Sequence, residues 1–134
     1  MASRNLDDLT KDVKQKAIVH TQLCAAKGID ILIYCTLRSN EEQDKLYAQG
    51  RTVPGKIVTN ARAGESAHNP DINGLSHAYD CCPMLAGKPI WDANHPYWPI
   101  VGACGEEAGL TWSGRWTGKL KETAHFQGPK WSKP

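Results

Sequence analysis

The sequence predicts an α+β domain, and three observations carry that prediction. Residues 5 to 26 repeat apolar side chains at three- and four-residue spacing, the period of one helix face. Residues 29 to 37, IDILIYCTL, form a short, unbroken, β-branched run, the signature of a buried strand. The later segments mix helix and strand patterns without regular βαβ alternation and without internal repeats. At 134 residues the chain has the size of one domain, and such a chain buries roughly two thirds of its unfolded surface without staples.

Each element follows in order. Leu6, Leu9, Val13, Ala17, His20 and Cys24 line the apolar face of the first helix. Asn5 can cap it, Asp7 and Asp8 fall in its first turn, and Gly28 ends it. After the 29–37 strand, SNEEQDKLYAQG reads as a helix with Ser39 or Asn40 as cap and Gly50 as stop. Residues 51 to 76 are rich in glycine and proline, and a loop that long is more often functional than idle. HAYDCCPM reads as a strand ended by Pro83, and LAGKPIWD as a tight turn in a hairpin. A third helix is expected to begin near Pro96, with Pro99 in its first turns and Gly109 after it. TWSGRW and AHFQ read as short extended segments around a turn.

Composition narrows the partners. A net charge of +2, with lysines and arginines scattered, makes no case for nucleic acid, although it favours an anionic polymer such as a bacterial wall. The first fifteen residues lack the apolar stretch of a signal peptide, and no run nears the roughly 18 apolar residues of a membrane helix. The expectation is synthesis in the cytoplasm, no stable membrane association, and export that needs outside help. The five cysteines include no CxxC and lie mostly in apolar stretches, so they read as reduced, buried small hydrophobes rather than disulfides or thiolate zinc ligands.

The chemistry concentrates in SAHNPDINGLSHAYD, residues 66 to 80, where His68, Asp71, His77 and Asp80 are candidate ligands. A catalytic zinc takes about three ligands from His, Asp or Glu and keeps a position for water, with a further carboxylate to accept its proton. Asp80 lies on a strand face opposite to that of His77. His125 in ETAHFQ is a further candidate. Glu122, three residues earlier, reaches the same water only from the turn leading into the strand. His20 and His95 read as structural, on a helix face and at a helix start. Asp71 and Asn73 read as turn formers, since D-x-N-G lacks the closing glutamate of a calcium loop.

SAHN, AYD and HFQ, in that order, resemble the S-x-H-x-x-G-x-A-x-D and C-terminal histidine motifs of the zinc D-Ala-D-Ala carboxypeptidase (VanY-like) family. Within it, the chain is similar to the phage endolysins that act as L-alanyl-D-glutamate peptidases. TLRSNEEQDKLYAQGRT, NARAGESAHN, GKPIWD, HPYW and AGLTWSGRW also fall in the family's order, so the likeness runs from about residue 29 to 127. It implies a small antiparallel sheet with flanking helices, as in the hedgehog and D-Ala-D-Ala peptidase folds. It implies a zinc ion on His68, Asp80 and His125, with Glu122 as general base. Arg38 would contact a substrate carboxylate or the oxyanion, supported by Gln43, and Ser66 would orient the loop. Trp112, Arg115 and Trp116 would line the cleft.

In the motif the first histidine and the aspartate lie seven positions apart, and here they lie twelve apart. The five extra residues are turn chemistry, which a surface loop absorbs at little entropic cost. They leave open whether His77 replaces Asp80 or His68 as ligand, or supports one of them from behind. The function the resemblance implies is a zinc-dependent peptidoglycan endopeptidase, a monomeric phage endolysin that lyses the host wall. It would be held in the host cytoplasm until lysis and then act in the periplasm and wall. Residues 1 to 134 would be one catalytic domain with no separate wall-binding domain. The rival readings are a D-Ala-D-Ala carboxypeptidase or dipeptidase, and a zinc-stabilised, non-catalytic wall-binding module.

Overall fold

A computed structural model describes residues 2–117 and 121–133. The first helix is split. Asn5 caps a single 3-10 turn, Leu6–Asp8, and Thr10 caps α1, Lys11–Ala26, by accepting from Val13 N at 3.2 Å. The break has a tertiary cause. Thr10 N donates to Ser76 O (2.9 Å) and Ser76 N to Asp8 O (2.8 Å), which holds residues 8 to 10 extended against the later chain. The expected apolar face survives the break, with Leu9, Val13, Ala17, His20 and Cys24 all buried.

β1, Asp30–Cys35, leads to α2, Asn40–Ala48. A capping box starts α2, in which Ser39 and Glu42 each accept from the other's backbone N–H. β2, Ala78–Leu85, turns back into β3, Lys88–Pro89, through Ala86 and Gly87 at φ 51° and 77°. Both residues are left-handed, as a two-residue hairpin turn matching the strand twist requires. Pro83 lies inside β2 and does not end it. Its missing N–H falls on the side where β5 has finished and β3 is only beginning, while its carbonyl accepts from Ile90 N at 2.9 Å.

α3, Tyr97–Glu107, is followed by β4, Thr111–Trp112, and by β5, His125–Gln127. The sheet order is β1-β2-β5-β4, with β3 on β2 and every pair antiparallel. α1 and α3 cover one face. Tyr79 and Cys81 of β2, Trp112 of β4 and Phe126 of β5 form the core beneath them. α3 comes so close that a Cβ on Gly102 would lie 2.4 Å from the Trp112 ring, and one on Gly105 would lie 2.4 Å from Phe126. Strand alternation then sends Asp80, His125 and Gln127 to the opposite face, with Asp80 directly across from His125. No helix among the described residues is long and apolar enough to cross a membrane.

Candidate metal centre and cleft

On the face away from α1 and α3, the sheet floors a cleft of about 630 Å³, ordinary for a small-ligand site. His68 enters it from the loop before β2. Its Nδ1 donates to Thr36 O at 2.8 Å, which leaves Nε2 as the nitrogen pointing inward. His125 is oriented the other way round. Its Nε2 bonds to Gln127 Oε1 at 2.8 Å, which leaves Nδ1 inward. Nε2 of His68, Nδ1 of His125 and Oδ1 of Asp80 therefore converge, at 3.1, 3.2 and 3.3 Å from one another. Donors about 2.0–2.1 Å from a tetrahedral zinc-type ion stand about 3.3–3.4 Å apart, so the donor set fits such a cation.

The electrostatics agree with that fit. Burial pulls the His68 pKa down, but the Asp80 carboxylate beside it outweighs burial and holds it at about 10. For Asp80 burial pushes upward, and the facing histidines hold its carboxyl far below the ordinary range. Without a cation, the pocket calls for a proton's positive charge at the point where the three donors meet.

Cys35 departs from its expected role as filler. All five cysteines are free and buried, but Cys35 Sγ lies 3.7 Å from His68 Nδ1 and 3.8 Å from Arg38 Nη2. Donors on Cys35, His68 and Asp80 come within 4.8 Å of one another. That set is wider than the two-histidine set, and Cys35 approaches His68 on the nitrogen already engaged by Thr36. The compact set is His68, Asp80 and His125.

The surroundings hold these groups in place. Ser66 Oγ accepts from His68 N at 3.2 Å. Asn69 accepts from Gly64 N and Ser66 N and donates to Arg38 O at 3.0 Å, while Arg38 N donates to His68 O at 2.9 Å. The loop is thereby tied to the end of β1. Arg38 Nη2 lies 3.9 Å from Asp80 Oδ2, and its Nη1 donates to Gln43 at 3.1 Å. Gln43 is fully buried on α2 and is anchored by its own donation to Ala61 O at 2.8 Å. Glu122 sits in the irregular segment before β5, with Oε2 3.8 Å from His125 Nδ1 and a side chain 55% exposed. Trp116 lines the cleft and tilts over His125, ring centroids 6.0 Å apart.

Three expected site residues lie elsewhere. His77 neither lines the cleft nor faces Asp80. Its Nε2 bonds to Asp71 Oδ2 at 2.9 Å, and Asp71 also accepts from Asn73 N and Leu75 N, so the inserted turn closes on itself. Trp112 is core. It stacks on Phe126 against α3, and its Nε1 donates to Thr123 O at 2.8 Å. Arg115 is exposed and pairs with Glu106 through two nitrogens, in a forked, bidentate contact.

Sequence reasoning missed Asn69, Gln127 and Tyr34. The first two had a signal. Asn69 follows His68 directly, and Gln127 stands two residues after His125, hence on the same strand face. Tyr34 had none. It lines the cleft because β1 bulges between Ile33 and Cys35.

A small antiparallel sheet backed by helices, with two histidines and a carboxylate converging in an open cleft, defines a metallohydrolase-type site. No family model matches the chain. It is 38% identical over 127 residues to the peptidoglycan L-alanyl-D-glutamate endopeptidase CwlK of Bacillus subtilis, an alignment covering 90% of this chain and 73% of the relative. Its fold is similar to that in the crystal structure of the Serratia marcescens L-Ala D-Glu endopeptidase ChiX. The TM-score is 0.67 at 20% identity, with 95% of this chain and 87% of the other covered. The chain belongs to the VanY-like family of L-alanyl-D-glutamate peptidoglycan endopeptidases.

Proposed function

We propose that the chain is a zinc-dependent endopeptidase that hydrolyses the L-alanyl-D-glutamate bond of peptidoglycan stem peptides. The observation that carries this reading is the convergence of His68, Asp80 and His125, with Glu122 beside them but outside the ligand set. A zinc ion bound there supplies Lewis acidity and brings the pKa of a water near neutral. Glu122 takes the proton from the attacking water and returns it to the leaving amine. Arg38 is fixed by Gln43 and faces the cleft beside Asp80, where it stabilises negative charge on the substrate carboxylate or the oxyanion. Ser66 and Asn69 hold the His68 loop, and Trp116 shields His125 from water.

The exposed position of Glu122 separates this reading from a closed structural metal site, which has no use for a spare carboxylate. We further propose that the chain acts as a monomer and that residues 1 to 134 form one catalytic domain. The motif likeness supports a phage endolysin released to the wall at lysis. Mass spectrometry of muropeptides from digested walls tests the reaction. Stem peptides cut between L-alanine and D-glutamate are expected, and release of free D-alanine alone would replace this reading by the carboxypeptidase one.

A further inference from the structure

Tyr34, on the cleft wall, belongs to an aromatic pair that the endopeptidase reading leaves without a task. Tyr34 occupies the bulge in β1 between Ile33, paired with Cys81, and Cys35, paired with Asp80, so it is the next side chain along the cleft floor. Trp91 stands edge-on against it, ring centroids 5.3 Å apart at 80°. The fold fixes Trp91 there, because Ile90 N is tied to Pro83 O and closes the hairpin behind it. Yet Trp91 is 60% exposed, and its neighbours Lys88, Asp92 and Asn94 are exposed and polar. An exposed indole packed against a cleft-lining tyrosine, among hydrogen-bonding groups, suits a ligand with one apolar face and a polar rim. A hexopyranose has that shape, with axial C–H groups on one face and hydroxyl and acetamido groups at its edge.

The proposed substrate puts such a ring within reach. The stem peptide hangs from an amino sugar through a lactyl group, and one L-alanine separates that group from the scissile bond. Two extended units span about 7 Å. Trp91 lies one aromatic ring beyond Tyr34, which lines the cleft one residue before Cys35, the strand partner of Asp80. We propose that Trp91 is a sugar platform, which stacks on the amino sugar bearing the stem peptide and so selects glycan-linked peptides over free ones. The proposal rests on the endopeptidase reading for the identity of the sugar.

The test compares a free stem peptide with the same peptide attached to the N-acetylglucosaminyl-N-acetylmuramyl disaccharide. Trp91→Ala is expected to lower kcat/KM on the disaccharide-peptide about five- to tenfold, mainly through KM, and to leave the free peptide unaffected. Trp91→Phe keeps most of the preference. In the wild-type protein, the Trp91 indole N–H resonance, assigned with Trp91→Phe, shifts on titration with the disaccharide alone. Equal losses on both substrates, no loss on either, or an unmoved indole resonance would each overturn the platform. If the wild-type protein cuts neither substrate, the endopeptidase reading fails, and the indole titration still decides on the platform.

Discussion

His20 and the pair His68 and His125 are all buried, and all have both ring nitrogens engaged, yet they do opposite things. On α1, His20 spends one nitrogen on the Tyr79 hydroxyl at 2.6 Å and the other on Val101 O at 2.8 Å. Its ring packs on Phe126 and is fully enclosed by α1, α3 and the sheet. His68 and His125 each give one nitrogen to a protein acceptor and aim the other at Asp80. Burial therefore does not separate a structural histidine from a candidate ligand. What separates them is whether the second nitrogen meets an ordinary hydrogen-bond partner or converges with a second imidazole on one carboxylate.

The largest effect that sharpens this contrast is loss of the metal. Chelation, or His68→Ala, is expected to lower wall hydrolysis by about 10³-fold or more, because Lewis-acid stabilisation is worth several kcal/mol. Elemental analysis should show the bound metal lost in both cases. His20→Ala should leave metal content unchanged, and equal metal loss from the two variants would erase the distinction. Next in size, Glu122→Gln should cost about 10²- to 10⁴-fold in kcat with metal content retained. Normal lysis by this variant would remove Glu122 from the mechanism.

How much of this contrast could be read in advance follows from where the information lies. The candidate ligands sit in ordered motifs, and strand alternation already turned Asp80 away from His77. The helix face of α1 was legible because its period is local. The fates of Trp112 and Arg115 were not. Each depends on α3, which takes Trp112 into the core across Gly102 and offers Glu106 to Arg115. The break before α1 and the bulge at Tyr34 likewise arise from pairing with distant strands and loops. Cys35 looked like the other four cysteines because sequence does not show that β1 ends beside His68.

The two remaining tests are smaller and act on the outer partners of each histidine. Removing the His20 ring leaves a cavity and strands the buried Tyr79 hydroxyl, so His20→Ala should cost about 3 kcal/mol in urea unfolding. Activity per folded molecule should be unaffected. In the cleft, Gln127→Leu removes the acceptor that fixes the His125 tautomer and should weaken zinc affinity about 10- to 100-fold in a chelator competition. Gln127→Glu keeps an acceptor there and should retain binding. If Leu and Glu behave alike, Gln127 does not orient His125.

The smallest effect is a pH slope, and its sign is fixed by burial. Enclosure lowers the His20 pKa, the backbone bond to Val101 opposing burial only in part. In the unfolded chain His20 returns to about 6.5. Below that value the unfolded chain gains a proton that the folded chain does not accept, so the unfolded state binds more protons and folding stability falls as pH falls. One such group contributes at most about 1.4 kcal/mol per pH unit, beginning near pH 6.5 and ending at the lowered folded pKa. His20→Met keeps an apolar side chain of similar bulk but cannot titrate. Wild type and His20→Met should therefore differ in stability by a constant amount above about pH 7.5 and by a shrinking amount below about pH 6.5, as the wild type alone is weakened. Urea midpoints at several pH values measure the difference, in which every other titrating group cancels. A difference that stays flat to pH 5 would mean that His20 accepts its proton inside the core, and the line drawn between the two kinds of buried histidine would have to be redrawn.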